Sequence, residues 1–430
     1  LPITALADGK TLNTAAIQAA EDDCARKGGG TVLVPAGVWL TGSVGLKSHV
    51  ALRLEAGSVL RGSSRLEDYP PNGFKHREPG ETRSLLWALH QSDISVCGEG
   101  TIELADRPFF DWDELRTGLP AGQEALLEDW QRKQCVVTAR ERPTQPIFFH
   151  DCHHVLLEGV SIRNSPCWTV TFGDCEDIQA RGIRIDNNLQ VPNNDGMHFC
   201  GSKNIVITDC IIRSGDDSLA FTGITDPDSV CERIVIANSI LTSRSCGVRL
   251  GYSSGKVRDV VINNVVMNDC NRGFAIQAGD HGWVENVTID NAVMQARMFA
   301  GAWWGKGEPL VVSAANSSSA HIRGLNISHV RARAENSILV VGRNQPERVL
   351  CRTVREKLFA DSCYLIGSST NKGRNRGINR ALGPPRTVPP NGSQLSLCQS
   401  AIGAGRWCAT SRAVHNRPAC RRTGRFASRS

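Results

Sequence analysis

The chain has 430 residues, with 49 Lys+Arg against 43 Asp+Glu, 40% hydrophobic and 21% charged residues. It is too apolar for a disordered chain and too polar for a membrane protein, and no stretch approaches the ~20 apolar residues of a membrane span. The formal charge of +6 averages two unlike parts: residues 351–430 carry 13 Arg and 2 Lys against Glu356 and Asp361, while the first 350 residues carry 34 basic and 41 acidic groups. An acidic body removes the main support for nucleic-acid binding.

Near the start, Asn13-Thr14-Ala15-Ala16-Ile17-Gln18-Ala19-Ala20 runs toward Gly28-Gly29-Gly30. Asn13 is a good N-cap, the alanines favour helix and the glycines stop it. Short apolar runs follow at Thr31–Pro35, Val50–Leu54 and Val59-Leu60, separated by Gly-containing turns. From about residue 147 the chain repeats itself, with similar strand pairs beginning at Val155, Ile178, Ile205, Ile234, Val260, Val287 and Leu325. Each unit alternates apolar and polar positions, then turns, then adds a second short strand; this is the pattern of a solenoid rather than of helical repeats. The expected fold is all-β, a right-handed parallel β-helix over residues 1–345 with the Asn13 helix capping its open end. Insertions are expected near 106–146 and 298–319, emerging as loops on one face.

After about Val349 the repeat stops, and 346–430 reads as a basic tail that is either disordered or a reading-frame error past the selected sequence. Of the 16 cysteines, eleven lie in the body and five in the tail, with no C-x-x-C pair, so a zinc ribbon is not expected. Cys152, Cys175 and Cys231 each precede a hydrophobic strand and read as small buried fillers of repeated turns, with disulfides left open. No signal-like segment opens the chain, so a secretion signal would be absent or already removed.

Carboxylates concentrate at matching places in adjacent units. Asn193-Asn194-Asp195-Gly196 and Gly215-Asp216-Asp217-Ser218 stand about one coil apart. Asp, Asn and Gly are also ordinary turn residues, which solenoids stack into ladders. The tandem Asp216-Asp217 fits a ladder poorly, because adjacent like charges repel. Three carboxylates gathered on one face should raise at least one pKa, leaving a protonated acid beside ionised partners. Inverting glycoside hydrolysis needs that pairing of an acid and a water-activating base.

The stretch from Arg142-Pro143 to Gly223 resembles the family 28 glycoside hydrolases, the polygalacturonase-like pectin enzymes. It carries Asn164-Ser165-Pro166-Cys167-Trp168, Asn193-Asn194-Asp195-Gly196 and Gly215-Asp216-Asp217 in the family's order. Gly28-Gly29-Gly30-Thr31-Val32 through Val34-Pro35-Ala36-Gly37 resembles the opening of pectin-lyase-like β-helices, so the resemblance spans roughly 8–345. It implies Asp216 as general acid, with Asp195 and Asp217 holding and deprotonating water, no metal or cofactor, and inversion at the anomeric carbon. It also implies a polysaccharide or oligosaccharide partner, no membrane or nucleic-acid partner, a monomer, and an extracellular or periplasmic location.

Two family motifs differ. Gly-His-Gly falls at Ser245-Cys246-Gly247, and the carboxylate-gripping Arg-Ile-Lys falls at Ala275-Ile276-Gln277, with Arg272 three residues too early. Losing that cationic grip points away from simple homogalacturonan and toward an exo-acting or neutral-sugar variant. Asn193, Cys246 and Gln277 remain candidates for substrate binding by position. Arg249, between core-facing Val248 and Leu250, should point outward; it could bind substrate, hold the acid, or pair with a turn Asp. His198 alternates outward from Met197 and Phe199, as a substrate contact or a surface histidine. Trp303-Trp304 could stack against a sugar, with one of the pair covering the core, and Lys306 could reach the cleft. The alternatives are a lyase on the same fold, or a carbohydrate-binding β-helix without turnover.

Overall fold

The computed structural model describes residues 6–75, 81–223, 229–315, 319–342, 350–352 and 355–358. The chain winds into parallel coils whose strands stack into an 18-stranded sheet and a 10-stranded sheet, the right-handed β-helix expected from the repeat. The strand starts read from the sequence are the register itself: Val155 pairs with Ile178, Ile178 with Ile205, Ile205 with Ile234, Ile234 with Val260, Val260 with Val287 and Val287 with Leu325. The parallel ladder continues through Leu350–Arg352 and Arg355–Leu358; the rest of the basic segment lies outside the described residues.

The helix Thr14–Arg26 buries Ile17, Glu21 and Cys24 toward the first strands. Asn13 sits at its N-cap position without a side-chain capping bond. Its amide instead donates to the carbonyls of Leu6, Thr11 and Leu40, tying the incoming chain to the first coil. That is a correction to the expected cap: the Oδ1 that would have accepted from the helix's own N–H groups accepts instead from Leu6 N at 3.1 Å.

Alternation along each strand sorts the interior from the surface. Phe149, Phe172, Phe199 and Phe221 occupy successive rungs of the 10-stranded sheet. Their rings stack at 5.2, 4.9 and 4.9 Å within 11° of parallel, filling the coil. Between them, pointing the other way, runs a second row: Thr171, His198, Ala220, Arg249 and Ala275.

The outer turns use left-handed backbone, which Asn and Asp tolerate best. His49, Asp93, His154, Asp177, Asn204, Arg233, Asp259 and Asn286 all have φ between 53° and 63°. Many of these side chains bond along the ladder, such as Asn204 Nδ2 to Asp177 Oδ1 at 2.7 Å and Asn286 Nδ2 to Asp259 Oδ1 at 3.1 Å. Among the described residues the eleven cysteines are free and ten of them buried. Several cap a coil, as Cys231 does by donating its thiol to the Phe199 carbonyl at 3.3 Å.

The first insertion folds as an antiparallel pair, Phe110–Arg116 with Val136–Ala139, around the short helix Asp129–Arg132. Within 298–319, Leu310–Ala314 is a rung of the 10-stranded sheet, so the inserted loop precedes it. The two insertions meet: Ala302 N donates to Arg116 O at 3.1 Å, and Trp303 Nε1 donates to Gln134 O at 2.7 Å. No helix among the described residues is long and apolar enough to cross a membrane.

Candidate active site

The turns leading into the 10-stranded sheet bring the three aspartates together. Thr169 N donates to Asp195 O at 3.0 Å and Gly196 N donates to Asp217 O at 2.9 Å, so the two turns stack in direct backbone register. Gly215 N donates to Asn194 Oδ1 at 2.6 Å. A Cβ on Gly215 would lie 2.3 Å from the Val191 carbonyl, so only glycine permits this approach. Asp195 and Asp217 are 1% exposed and Asp216 8%.

Asn193, in left-handed backbone, spans from Asp216 to Arg142: its Nδ2 is 3.4 Å from Asp216 Oδ2 and its Oδ1 accepts from Arg142 Nη2 at 3.1 Å. Asp216 Oδ1 accepts from the Asp217 backbone N at 2.9 Å. Asp217 pairs with Arg249 through Nε and accepts from Ser245 Oγ at 2.7 Å. Arg249 Nη2 also stands 4.0 Å from Asp195 Oδ2. The small Ala220 occupies the rung between His198 and Arg249, leaving room for the arginine to reach back one coil. Its guanidinium also lies 4.8 Å from the Tyr252 ring centroid.

Burial dominates the titration of this group, and mutual repulsion adds to it. Asp216 is pushed well above the ordinary carboxylate range by burial, then by Asp195 and Asp217. Asp195 is pushed up to about 8 by burial and by Asp217, with Arg249 opposing. Burial alone would lower the Arg249 pKa, yet Asp217, Asp195 and Asp216 together raise it. The cluster therefore retains protons in the neutral range while one cation offsets the rest.

His198 corrects its sequence reading. The surface expectation fails because Trp168 of the preceding coil stacks on the ring at 3.9 Å, leaving it 0% exposed. Its Nδ1 is 3.1 Å from Asp195 Oδ2 and its Nε2 is 3.0 Å from Thr222 Oγ1. Burial and Arg249 lower its pKa to about 3. Cys246 is buried, and its thiol donates to the backbone carbonyls of Val248 and Gly273 at 3.1 and 3.3 Å. Gln277 is half-buried two residues along the strand from Ala275, which pairs with Arg249. Arg272 bonds the Trp304 carbonyl at 3.2 Å and lies 3.5 Å from Glu308 Oε1, so it is already engaged. Of the tryptophan pair, Trp303 packs with Val136 and Phe299, whereas Trp304 is 44% exposed. Lys306 is exposed. A cavity of about 370 Å³ lies apart from this cluster, lined by Asp151, Glu176, Lys203, Glu232 and Arg258 among others.

Ser245, Thr222, Trp168 and Arg142 complete the site without having been singled out for it from the sequence. Ser245 carried a signal, since it stands 28 residues after Asp217, one coil on, and Trp168 and Arg142 lie in the stretch that carries the family resemblance.

A family model for glycosyl hydrolases family 28 matches residues 119–334, which contain this whole cluster. The chain is 28% identical over 320 residues to a probable polygalacturonase of Vitis vinifera, covering 70% of this chain and 60% of that protein. It is likewise 28% identical over 329 residues to an exo-poly-alpha-D-galacturonosidase of Dickeya chrysanthemi, covering 67% and 54%. The chain thus matches little more than half the length of these two relatives. Its fold is similar to that of an exopolygalacturonase from Thermotoga maritima, with a TM-score of 0.62 at 22% identity over 83% of this chain and 91% of that one. A family 28 exopolygalacturonase from Yersinia enterocolitica is similar at a TM-score of 0.56 and 18% identity, covering 85% and 76%. With the family model matched across half its length, the chain belongs to the glycosyl hydrolases of family 28.

Proposed function

We propose that the chain is an inverting glycoside hydrolase acting on a pectic or related polysaccharide or oligosaccharide. The observation that carries this reading is the buried group Asp195, Asp216 and Asp217, with Arg249 set against two of its members. Asp216, held protonated by burial and by its neighbours, gives its proton to the leaving glycosidic oxygen. Asp195 and Asp217 hold the attacking water and accept its proton, so the bond forms on the opposite face of the sugar and the anomeric configuration inverts.

The altered recognition motifs support a substrate other than simple homogalacturonan. Gln277 offers no charge, the Cys246 thiol is turned to backbone carbonyls, and Arg272 is tied to Glu308. The joined insertions, with Trp304 exposed on one of them, bond the turn before Asn193 through Val137 N to Gln190 O, which supports action at a chain end.

Incubation with pectic oligosaccharides and aryl glycosides, with and without EDTA, tests the reading. Reducing ends that form regardless of EDTA, with the inverted anomer appearing first by NMR, are expected. An unsaturated, ultraviolet-absorbing product would mean a lyase, and binding without product a recognition module; either overturns the proposal.

A further inference from the structure

We propose that His198 is the positioning residue of Asp195: its Nδ1–H holds Asp195 Oδ2 and leaves Oδ1 as the oxygen that takes the proton from the attacking water. This rests on the hydrolase reading above and adds a residue that contacts no substrate.

The ring is fixed from three sides. Nδ1 lies 3.1 Å from Asp195 Oδ2, Nε2 lies 3.0 Å from Thr222 Oγ1, and Trp168 covers one face at 3.9 Å. The charged groups acting on it are Asp195, with which it bonds, and Arg249 and Asp217 from the next coils. A buried ring next to a guanidinium stays neutral and so carries one N–H for two partners. Asp195 keeps its own proton up to about pH 8. Once ionised, as the base that takes the water's proton must be, it cannot donate, whereas the Thr222 hydroxyl can, so in that state the histidine proton sits on Nδ1 and Thr222 donates to Nε2.

Both oxygens of Asp195 are then accounted for differently. Oδ2 accepts from His198 and faces Arg249 Nη2 at 4.0 Å, while Oδ1 is buried with no hydrogen-bond partner. An orphaned buried acceptor calls for a donor, and a water O–H supplies one. In the reaction that water loses a proton to Asp195 Oδ1 as its oxygen bonds the anomeric carbon. The glycosidic C–O bond breaks, and the leaving oxygen takes the proton of Asp216. His198 keeps its proton throughout and serves to stop Asp195 from rotating.

Two measurements test this. The imidazole ¹H–¹⁵N spectrum of the full chain, recorded above pH 8 where Asp195 is ionised, should place the neutral His198 proton on Nδ1, with that signal moving in Asp195→Asn; a proton on Nε2 there overturns the proposal. In kinetics, His198→Leu should lower kcat about 100-fold by loosening Asp195, with KM changed by less than about threefold. His198→Asn, whose amide N–H can replace Nδ1–H, should recover at least about tenfold of that loss. If His198→Leu does not fold, the tautomer and His198→Asn decide. Equal kcat in the Leu variant and the wild type overturns the positioning role while leaving the hydrolase reading intact, provided Asp216→Asn is inactive. A wild-type chain inert on every glycoside overturns the hydrolase reading and the positioning role of His198 with it.

Discussion

Two sets of turn aspartates, alike in the sequence, have opposite physical lives in this molecule. Asp93, Asp177 and Asp259 sit exposed in left-handed backbone and bond to the next coil's turn residue. Asp195, Asp216 and Asp217 are buried, and none of them has positive φ. The outer set solves a backbone problem, because a short polar side chain tolerates the left-handed turn and stacks into a ladder. The inner set solves none: it gathers like charges out of water, which costs stability and raises the pKa of Asp195 and Asp216. Fold stability alone would not select such a cluster, and on that ground we propose it as the site of the chemistry.

Substitutions to asparagine separate the two sets, because they remove charge with little change in shape. Asp216→Asn should lower kcat by about 10²–10⁴-fold, the span of a lost general acid, with its melting temperature unchanged or raised; full activity would remove Asp216 from the mechanism. Arg249→Ala leaves Asp217 buried without its cation and should cost about 3–5 kcal/mol of stability, measured by urea unfolding. Arg249→Lys should recover only part of that, since a lysine cannot reproduce the Nε contact to Asp217 while its charge also faces Asp195.

The next effect is smaller and carries a sign in pH. Asp195 titrates at about 8 in the folded chain against an ordinary value of 3.8, so the folded state binds the extra proton. The stability this contributes is present at low pH and is lost as pH rises through that window. Asp195→Asn does not titrate, so its melting temperature should gain on the wild type steadily from pH 5 to pH 8. A gap that stays flat over that range would mean Asp195 is ionised throughout. Asp177→Asn should change least, within about 0.5 kcal/mol and with unaltered kcat, because asparagine also tolerates the left-handed turn. An activity loss there would dissolve the distinction between the two sets.

Much of the fold was legible because the solenoid is nearly one-dimensional. Strand starts such as Ile178, Ile205 and Ile234 define the coil, and identical side-chain types stack on themselves. The aspartates were legible for the same reason, since a coil's spacing puts position 195 next to 216 and 217. His198 was misread because alternation says only that it leaves the interior; that Trp168 then covers it depends on the path of another turn. Asn13 was misread because the N–H that its Oδ1 accepts from, that of Leu6, lies outside its own helix.

The sequence by itself determined the coil and the place of the carboxylates, because local alternation and a regular repeat encode both. Only the tertiary structure decided how those carboxylates are held. Arg249 reaches Asp217 across Ala220, Ser245 supports it from the next coil, and His198 is closed off beneath Trp168. Each of those contacts joins side chains from different coils, so its existence depends on the length and direction of side chains and turns rather than on the period of the repeat.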